Sequence, residues 1–127
     1  MVESVLLPAR TAKSADAYLR FTPRTEMDIA VVSAAVNLKL GAKGIIQEAR
    51  VALGAVAPKA LLVPAAAKAL IGNKLDDASL EKLTIACAKA CAPIDDKRGT
   101  IEFRTRVAAV LAKRAATSAY TRAGGKL

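Results

Sequence analysis

The clearest pattern in the sequence is an alternation of apolar and polar positions over residues 29–40. One face of this segment is apolar throughout: Ala30, Val32, Ala34, Val36, Leu38 and Leu40. The other face begins apolar, at Ile29 and Val31, and then turns polar. A period of two predicts a long β-strand over 29–40, covered on both faces at its start and on one face later.

Three further segments are predicted to be extended. The turn sequence GAKG at 41–44 and an alternating segment at 45–53 predict an antiparallel hairpin with the first strand. The side chains expected to point inward from 45–53 are Ile45, Ala49, Val51 and Leu53. Residues 2–7 form an apolar run that ends at a proline, which cannot donate to a ladder, so they predict an edge strand. Residues 18–21 predict a second short strand.

The period changes after residue 58, and two helices are predicted. Pro64 suits the first turn of a short helix, which Gly72 ends in the left-handed conformation. Asp76 or Asp77 caps the next helix, which Pro93 stops. One face of this second helix carries Leu80, Leu83, Cys87 and Cys91.

A third and longer helix is predicted to begin near Thr100. Its expected buried stripe consists of Phe103, Val107, Val110 and Leu111. Its expected solvated flanks carry Arg104, Arg106 and Lys113. The tail at 121–127 is expected to be frayed. Strands followed by helices predict an α+β fold, in which three helices pack on a small antiparallel sheet made of the long hairpin and short edge strands.

Composition adds that the core is built from small aliphatic side chains. The chain is 54% hydrophobic but only 3% aromatic. Its length of 127 residues predicts a single domain over residues 1–127. The formal net charge of +9 suggests an anionic partner. Basic residues are nevertheless spread along the chain, and the aromatic side chains that stack on single-stranded bases are few. Nucleic-acid binding is therefore not expected.

The chemistry carried by the side chains is limited. Histidine is absent, which excludes His-dependent triads and His-bearing zinc sites. Cys87 and Cys91 lie four apart, the wrong spacing for a CxxC motif, and are interpreted as core residues. The acidic pairs at 76–77 and 95–96 are interpreted as helix caps. No glycine-rich phosphate loop is present. Neither a signal peptide nor a membrane span is evident, so a cytoplasmic location is expected.

Three stretches carry a resemblance to a known family. These are AYLRFTPRTEMDIAVV, EARVALGAVAP and DDKRGTIEFR, in this order and spacing. They resemble the C-terminal domain of the FAD-binding medium subunit of molybdenum hydroxylases, the carbon monoxide dehydrogenase and xanthine dehydrogenase group. The resemblance covers nearly the whole chain.

This resemblance implies a cofactor and partners. It implies that FAD is shared with a larger N-terminal FAD-binding domain, which holds the phosphates and is absent from this chain. It also implies a large subunit with molybdopterin and a small subunit with iron–sulfur clusters, from which electrons pass through FAD to an acceptor. The chain would close over the flavin and would not be catalytic alone.

The resemblance also implies site residues. Arg20 takes the place of the family's basic residue in Y-x-[KR], suited to a flavin phosphate or ring carbonyl. Asp28 and Ile29 fall where the family brings a carboxylate and an apolar side chain to the ring edge. Arg24 is a further candidate for cofactor binding, although Arg24, Glu26 and Asp28 could equally form an exposed turn with weak ion pairs. The alternative function is a stand-alone basic interaction module without a redox role.

Overall fold

The computed structural model describes all residues from 1 to 127 and has an α+β fold, as predicted. The strands are β1 (Ser14–Phe21), β2 (Val32–Leu40), β3 (Ile46–Gly54) and β4 (Leu61–Leu62). The helices are α1 (Pro64–Leu70), α2 (Asp77–Ala90) and α3 (Ile101–Arg122). The four strands form one antiparallel sheet in the order β1-β2-β3-β4.

All three helices lie on the same side of the sheet. Helix α3 packs against β1 and β2, α1 packs against β3, and α2 contacts both other helices. The core between these two layers is a single cluster of 27 buried residues, most of them Ala, Val and Leu. The other face of the sheet, called the outer face below, carries no helix.

Strand β2 has the predicted face but begins later than predicted. Val32, Ala34, Val36, Leu38 and Leu40 are buried in the core. Residues 29–31 precede the strand, and Ile29 is 65% exposed. The backbone N–H of Val31 donates to the carbonyl of Phe21 at 2.9 Å and closes a loop of residues 22–30 between β1 and β2. The ladder cannot extend into that loop.

The inward face of β3 changes at a β-bulge. Lys39 pairs with Glu48 but Leu40 pairs with Ile46, so one residue of β3 is left without a partner. Because an extra residue reverses the alternation of side chains, Ile46 is buried and Ile45 is 39% exposed. The prediction that Ile45 points inward was therefore wrong, whereas Val51 and Leu53 are buried as expected.

The prediction of an edge strand at residues 2–7 was wrong. These residues have no secondary structure, and their apolar side chains are exposed, including Leu6 at 91%. An apolar run becomes a strand only where another strand offers backbone partners, and none pairs with this segment. One edge of the sheet is instead β1, which extends the predicted strand at 18–21 back to Ser14.

The helix boundaries match their predicted signals. Pro64 occupies the first turn of α1, and Gly72 has a φ of +85° just after that helix. Asp76 caps α2 by accepting a hydrogen bond from the Ser79 backbone N–H at 2.8 Å. Thr100 caps α3 by accepting one from the Phe103 backbone N–H at 3.1 Å. These ends are determined by local sequence.

The buried face of α3 differs from the predicted stripe. Its core-facing residues are Arg104, Ala108, Leu111, Ala112, Ala115, Ala116, Ala119 and Tyr120. Phe103 and Val110 are more than 40% exposed, and Val107 is only half-buried. Small side chains allow a helix to approach a sheet closely, so an alanine stripe docks where larger residues would hold the layers apart. The interpretation of Arg104 as a solvated flank was wrong, because it is 4% exposed.

The end of the chain is more ordered than predicted. Helix α3 continues to Arg122, Ala123 is buried, and the Gly125 N–H donates to the Tyr120 carbonyl at 2.9 Å. The side chain of Tyr120 in turn donates to the Gly44 carbonyl at 2.8 Å. These bonds hold the end of α3 against the turn between β2 and β3.

Candidate functional site

The loop of residues 22–30 is the centre of the candidate site. It leaves the sheet at Phe21 and returns at Val31. Within it, Met27 has a φ of +47° and is 98% exposed, and Ile29 is 65% exposed. A non-glycine residue with positive φ is uncommon and is retained where the surroundings fix it. The loop therefore has a defined conformation that presents two apolar side chains to solvent.

Asp28 fixes this conformation from inside the loop. Its side chain is only 5% exposed, and it accepts a hydrogen bond from the Ile29 N–H at 2.8 Å. Arg24 Nε lies 3.3 Å from one carboxylate oxygen, and Arg98 Nε lies 3.5 Å from the other. Burial raises the pKa of Asp28, but the Ile29 N–H and Arg24 outweigh it, so the pKa is below its usual value. The carboxylate is held ionised between two arginines.

The ion pairs continue from Asp28 to helix α3. Asp96 accepts from the Arg98 N–H at 2.7 Å and pairs with Arg104 Nη2 at 2.5 Å. The Arg98 N–H and Arg104 lower the pKa of Asp96 below its usual value. Arg104 Nη1 also donates to the Val31 carbonyl at 2.8 Å, so the buried guanidinium binds the end of the loop. We call Arg24, Asp28, Arg98, Asp96 and Arg104 the ion-pair network.

An aromatic contact accompanies this network. The rings of Phe21 and Phe103 lie 6.0 Å apart at 67°, an edge-to-face arrangement. Both residues remain partly exposed, at 37% and 42%. The start of α3 and the end of β1 thus meet beside the loop, and part of their apolar surface stays open.

The structure brings some of the predicted site residues together and separates one. Arg24 and Asp28 are in direct contact, and Ile29 follows Asp28 with its side chain exposed. Arg20 lies on the outer face of the sheet, opposite Ser33 in the register of β1 and β2. Arg20 is exposed and forms no ion pair within the chain. It borders the loop without joining the network.

Sequence reasoning missed the half of the network that comes from the far end of the chain. Asp95 behaves as expected of a cap, since its carboxylate accepts from the Ile101 N–H. Asp96 does not, because its main partners are Arg98 and Arg104. The available signal was the motif DKRGTIEFR, which was interpreted as a family motif and a helix start. This nine-residue motif contains two acidic residues and two arginines, a composition that could have indicated an ion-pair cluster.

Other reactive groups do not form a second site. Cys87 and Cys91 are free, and burial raises the pKa of the Cys87 thiol to about 12, with a smaller effect from Cys91. Nowhere do three His, Cys, Asp or Glu side chains gather so that they could hold a metal ion. None of the helices combines the length and apolarity needed to cross a membrane.

Known proteins match both the sequence and the fold. The family model described as CO dehydrogenase flavoprotein C-terminal domain matches residues 17–119. The carbon monoxide dehydrogenase medium chain of Afipia carboxidovorans is 36% identical over 96 residues, which are 76% of this chain and 33% of that protein. A putative xanthine dehydrogenase FAD-binding subunit of Escherichia coli K12 is 27% identical, over 94% of this chain and 41% of its own length.

Solved structures agree with these relatives. Carbon monoxide dehydrogenase from Hydrogenophaga pseudoflava, in a form that lacks the Mo-pyranopterin moiety of its cofactor, has a TM-score of 0.86 and 32% identity. The match covers 91% of this chain and 40% of that one. Quinoline 2-oxidoreductase from Pseudomonas putida 86 has a TM-score of 0.80 and 25% identity, over 87% of this chain and 38% of its own.

This chain spans about a third to two fifths of the length of these relatives. The matched region includes the second part of β1, all of β2 to β4 and nearly all of α3, together with the complete ion-pair network. Motifs, sheet order and helix packing all point to the same group. The chain belongs to the CO dehydrogenase flavoprotein C-terminal domain family.

Proposed function

We propose that this chain is the C-terminal domain of the FAD-binding medium subunit of a molybdenum hydroxylase. The observation that carries the proposal is the family match over residues 17–119, because this range contains Arg20, Arg24, Asp28 and Ile29. The chain as given is one domain, and a separate FAD-binding domain supplies the rest of the flavin site. In this assembly the chain closes over the flavin and is not catalytic alone.

The residues present fit the ring of a flavin and do not fit its diphosphate. The positive-φ glycines Gly44, Gly72 and Gly124 lie in separate turns, so no loop of backbone N–H groups cradles phosphates. By contrast, Arg20 has an unpaired guanidinium, and Ile29 offers an exposed apolar side chain next to a fixed carboxylate. This division supports a chain that contacts the ring while another domain anchors the phosphates.

The flavin, when bound, supplies the redox chemistry: it takes up electrons and passes them to an acceptor. The side chains of this domain would adjust the reduction potential of the flavin. A guanidinium near the ring favours its reduced form, and the carboxylate of Asp28 opposes reduction. Arg24 and Arg98 offset part of that negative charge. We propose that Arg20, Arg24, Asp28 and Ile29 contact or border the ring edge in this way.

The proposal extends to partner subunits. A large subunit with molybdopterin and a small subunit with iron–sulfur clusters would deliver electrons to the FAD. Carbon monoxide dehydrogenase and xanthine dehydrogenase are the names of relatives, and their substrates are not assigned to this chain.

Capture of the native assembly tests the function. An antibody to this chain is used to purify its product from the source organism, and the mass and visible spectrum are recorded. We expect a product far larger than 13.2 kDa with flavin and iron–sulfur absorbance. A colourless product of 13.2 kDa without partners would contradict the redox function while leaving the fold unchanged.

Arg20→Ala tests the contact with the flavin. We expect the native assembly carrying this substitution to retain FAD less tightly or to show a more negative flavin potential, because a cation near the ring is lost. Flavin content and a reductive titration measure both quantities. Arg106→Ala is the control, since the Arg106 side chain is 80% exposed on α3 and belongs to another surface. Wild-type occupancy and potential in Arg20→Ala would show that the assignment is wrong.

A further inference from the structure

A polar row crosses the outer face of the sheet beside the loop of residues 22–30. In the register of the antiparallel ladders, Arg20 of β1 lies opposite Ser33 of β2, and Ser33 lies opposite Gly54 of β3. Residues directly opposite each other in an antiparallel sheet point to the same face. The row therefore places a guanidinium, a hydroxyl and a glycine side by side at the end of the sheet from which the loop emerges.

Ser33 is the unusual member of this row. It is only 8% exposed, yet its hydroxyl has no hydrogen-bond partner among the hydrogen bonds of the chain. The other buried serine, Ser79, both donates to and accepts from groups of the α2 cap. No fully buried side-chain oxygen or nitrogen lacks a partner, so the Ser33 hydroxyl reaches the surface although the rest of the residue is covered. Ser33 thus offers a free donor that an incoming ligand can use without breaking a bond inside the chain.

Gly54 keeps the space for this hydroxyl open. A Cβ added to Gly54 would overlap with Ser33 Oγ, while Ser33 Cβ would be at an ordinary 3.8 Å. Gly54 is not among the glycines with positive φ, so its backbone does not require glycine. The reason for a glycine here is therefore room above β3, into which the Ser33 hydroxyl projects.

The row next to these three residues is mainly apolar, and the row beyond it is polar. A shallow cavity of about 430 Å³ on the outer face is lined by Tyr18, Ala35 and Ala52, and further from Ser33 by Asp16, Asn37 and Arg50. Tyr18, Ala35 and Ala52 occupy the neighbouring row across β1, β2 and β3. Two donors beside a flat, mainly apolar row match the edge of a planar heteroaromatic ring with a carbonyl oxygen. They do not match a diphosphate, which requires several converging donors.

We propose that Ser33 donates a hydrogen bond to a carbonyl oxygen at the edge of the flavin ring, beside Arg20 and in the notch that Gly54 leaves open. This inference rests on the proposed function and adds two residues to its site. A neutral donor next to a cation stabilises negative charge on that oxygen, so the contact strengthens when the ring is reduced. Ser33 then contributes both to retention of FAD and to its potential.

Ser33→Ala in the native flavin-containing assembly is the test. Loss of one hydrogen bond is expected to weaken retention of FAD about fivefold. Because the bond is stronger to the reduced ring, we expect retention of the reduced flavin to fall by a further factor of about five, which lowers the two-electron potential by about 20 mV, at 30 mV per tenfold. Ser14→Ala is the matched control, because Ser14 lies on the same face of β1 at the opposite end of the sheet. Flavin release and reductive titration measure the two effects.

Gly54→Ala gives an independent second variant. Its Cβ displaces the Ser33 hydroxyl, so we expect at least the same loss of FAD retention as in Ser33→Ala. In the double variant Ser33→Ala/Gly54→Ala the overlap is relieved, which preserves folding, but the donor is still absent. The double variant should therefore fold like the wild type, by urea unfolding, and retain FAD no better than Ser33→Ala.

The outcomes separate this inference from the proposed function. If Arg20→Ala alters retention or potential while Ser33→Ala matches Ser14→Ala in both, the Ser33 contact is wrong and the flavin-facing role of Arg20 remains. If Arg20→Ala and Ser33→Ala both behave like the wild type, the flavin-facing surface itself is wrong. If Ser33→Ala shows the fivefold loss and Ser14→Ala does not, the contact is supported.

Discussion

At the scale of single residues, Arg104 connects two parts of the chain that are 73 residues apart. It donates to the Val31 carbonyl and pairs with Asp96, while its own side chain is 5% exposed. Removing a guanidinium from water is costly unless its donors are satisfied, and here three acceptors surround it, the third being the Gly99 carbonyl. The arginine is stable in the core only as part of the ion-pair network.

Arg104→Met tests this dependence. The substitution keeps an apolar stem but removes the hydrogen bond to the Val31 carbonyl and the buried pair with Asp96, which retains only its contacts with Arg98. We expect the free energy of unfolding to fall by about 3 kcal/mol, as when one member of a buried pair is removed. Urea unfolding measures it. Arg106→Met, on the exposed side of the same helix, should change stability by no more than about 0.5 kcal/mol. A loss below about 1 kcal/mol in Arg104→Met would contradict the role of the pair.

Acid should weaken the fold through the carboxylates of the network and of the α2 cap. The pKa values of Asp28, Asp76 and Asp96 all lie below the usual value in the folded chain. A carboxyl with a lower pKa when folded stabilises the fold above its unfolded pKa of about 3.9, and this stabilisation is lost as the pH falls through the folded pKa. The free energy of unfolding should therefore decrease below about pH 4.

Asp96→Asn isolates the contribution of one carboxylate. It should lower stability at neutral pH and make the decline in acid shallower, because one titrating group is gone. Urea unfolding at about pH 7 and pH 3 gives both values. Lys97→Gln, in the same loop, changes a charge without removing a carboxylate and should keep the wild-type decline. An unchanged acid dependence in Asp96→Asn would mean that the Asp96 pairs do not stabilise the fold.

At the scale of elements, helix α3 determines how the two layers meet. Its docking face carries five buried alanines: Ala108, Ala112, Ala115, Ala116 and Ala119. With so little side-chain volume along this face the helix packs against β1 and β2, and Phe103 and Val110 remain partly exposed. Phe103 then contacts Phe21 beside the loop. The close approach of α3 is thus what brings Arg104 within reach of Val31.

Ala112→Leu should separate these layers. Three added carbon atoms in a filled core force shifts that cost about 1–3 kcal/mol of unfolding free energy. Because Arg104 is on the same face, we also expect weaker protection of the Val31 N–H against hydrogen exchange. Lys113→Leu, one position along on the exposed side, is the control and should change neither quantity much. Wild-type stability in Ala112→Leu would show that the interface between α3 and the sheet is not closely packed, which would contradict the prediction.

At the scale of the whole molecule, the charge of +9 is partly offset by contacts within the chain, although Lys43, Lys74 and Lys126 line one cavity of about 260 Å³. Several arginines are used internally: Arg24, Arg98 and Arg104 in the ion-pair network, Arg10 with Asp16, and Arg122 with the Asp16 carbonyl. The helices cover one face of the sheet, and the cavity on the open outer face is lined mostly by apolar residues, with Asp16 and Arg50 as an acidic and a basic neighbour. A surface of this kind suits a flat ring or another domain better than a nucleic-acid backbone.

Weak binding to nucleic acid is accordingly expected. In a gel-shift experiment at about 50 and 200 mM salt, affinity for single- or double-stranded DNA should be no tighter than that of an unrelated protein of similar charge. Phosphate contacts produce a steep fall of affinity with salt. Salt-sensitive binding clearly tighter than that of the charge-matched protein would favour the stand-alone interaction module instead.

Much of the candidate site could be located from sequence, but the ion pairs that fix its loop could not. The loop, Asp28 and Ile29 were found from the motif RTEMDIA, and their roles toward flavin stay predictions. The alternative interpretation was that residues 24–28 form an exposed turn. It fits the Arg24 side chain, which is 74% exposed, but not the Asp28 side chain, which is 5% exposed. The second arginine that pairs with Asp28 is Arg98, which no local pattern around residue 28 could reveal.

The sequence by itself determined the features that depend on neighbouring residues: the period of β2, the caps of α2 and α3, the glycine turn after α1 and the family motifs. Tertiary structure alone decided the features that depend on distant partners. These are the bulge that buries Ile46, the unpaired state of residues 2–7, the alanine face of α3 and the burial of Arg104. The physical reason is the distance along the chain between the residues that interact. The hydrogen bonds of a turn or cap join residues that are neighbours in sequence. The face that a helix buries, and whether a charged side chain can be buried, depend on residues far away in sequence that pack against it.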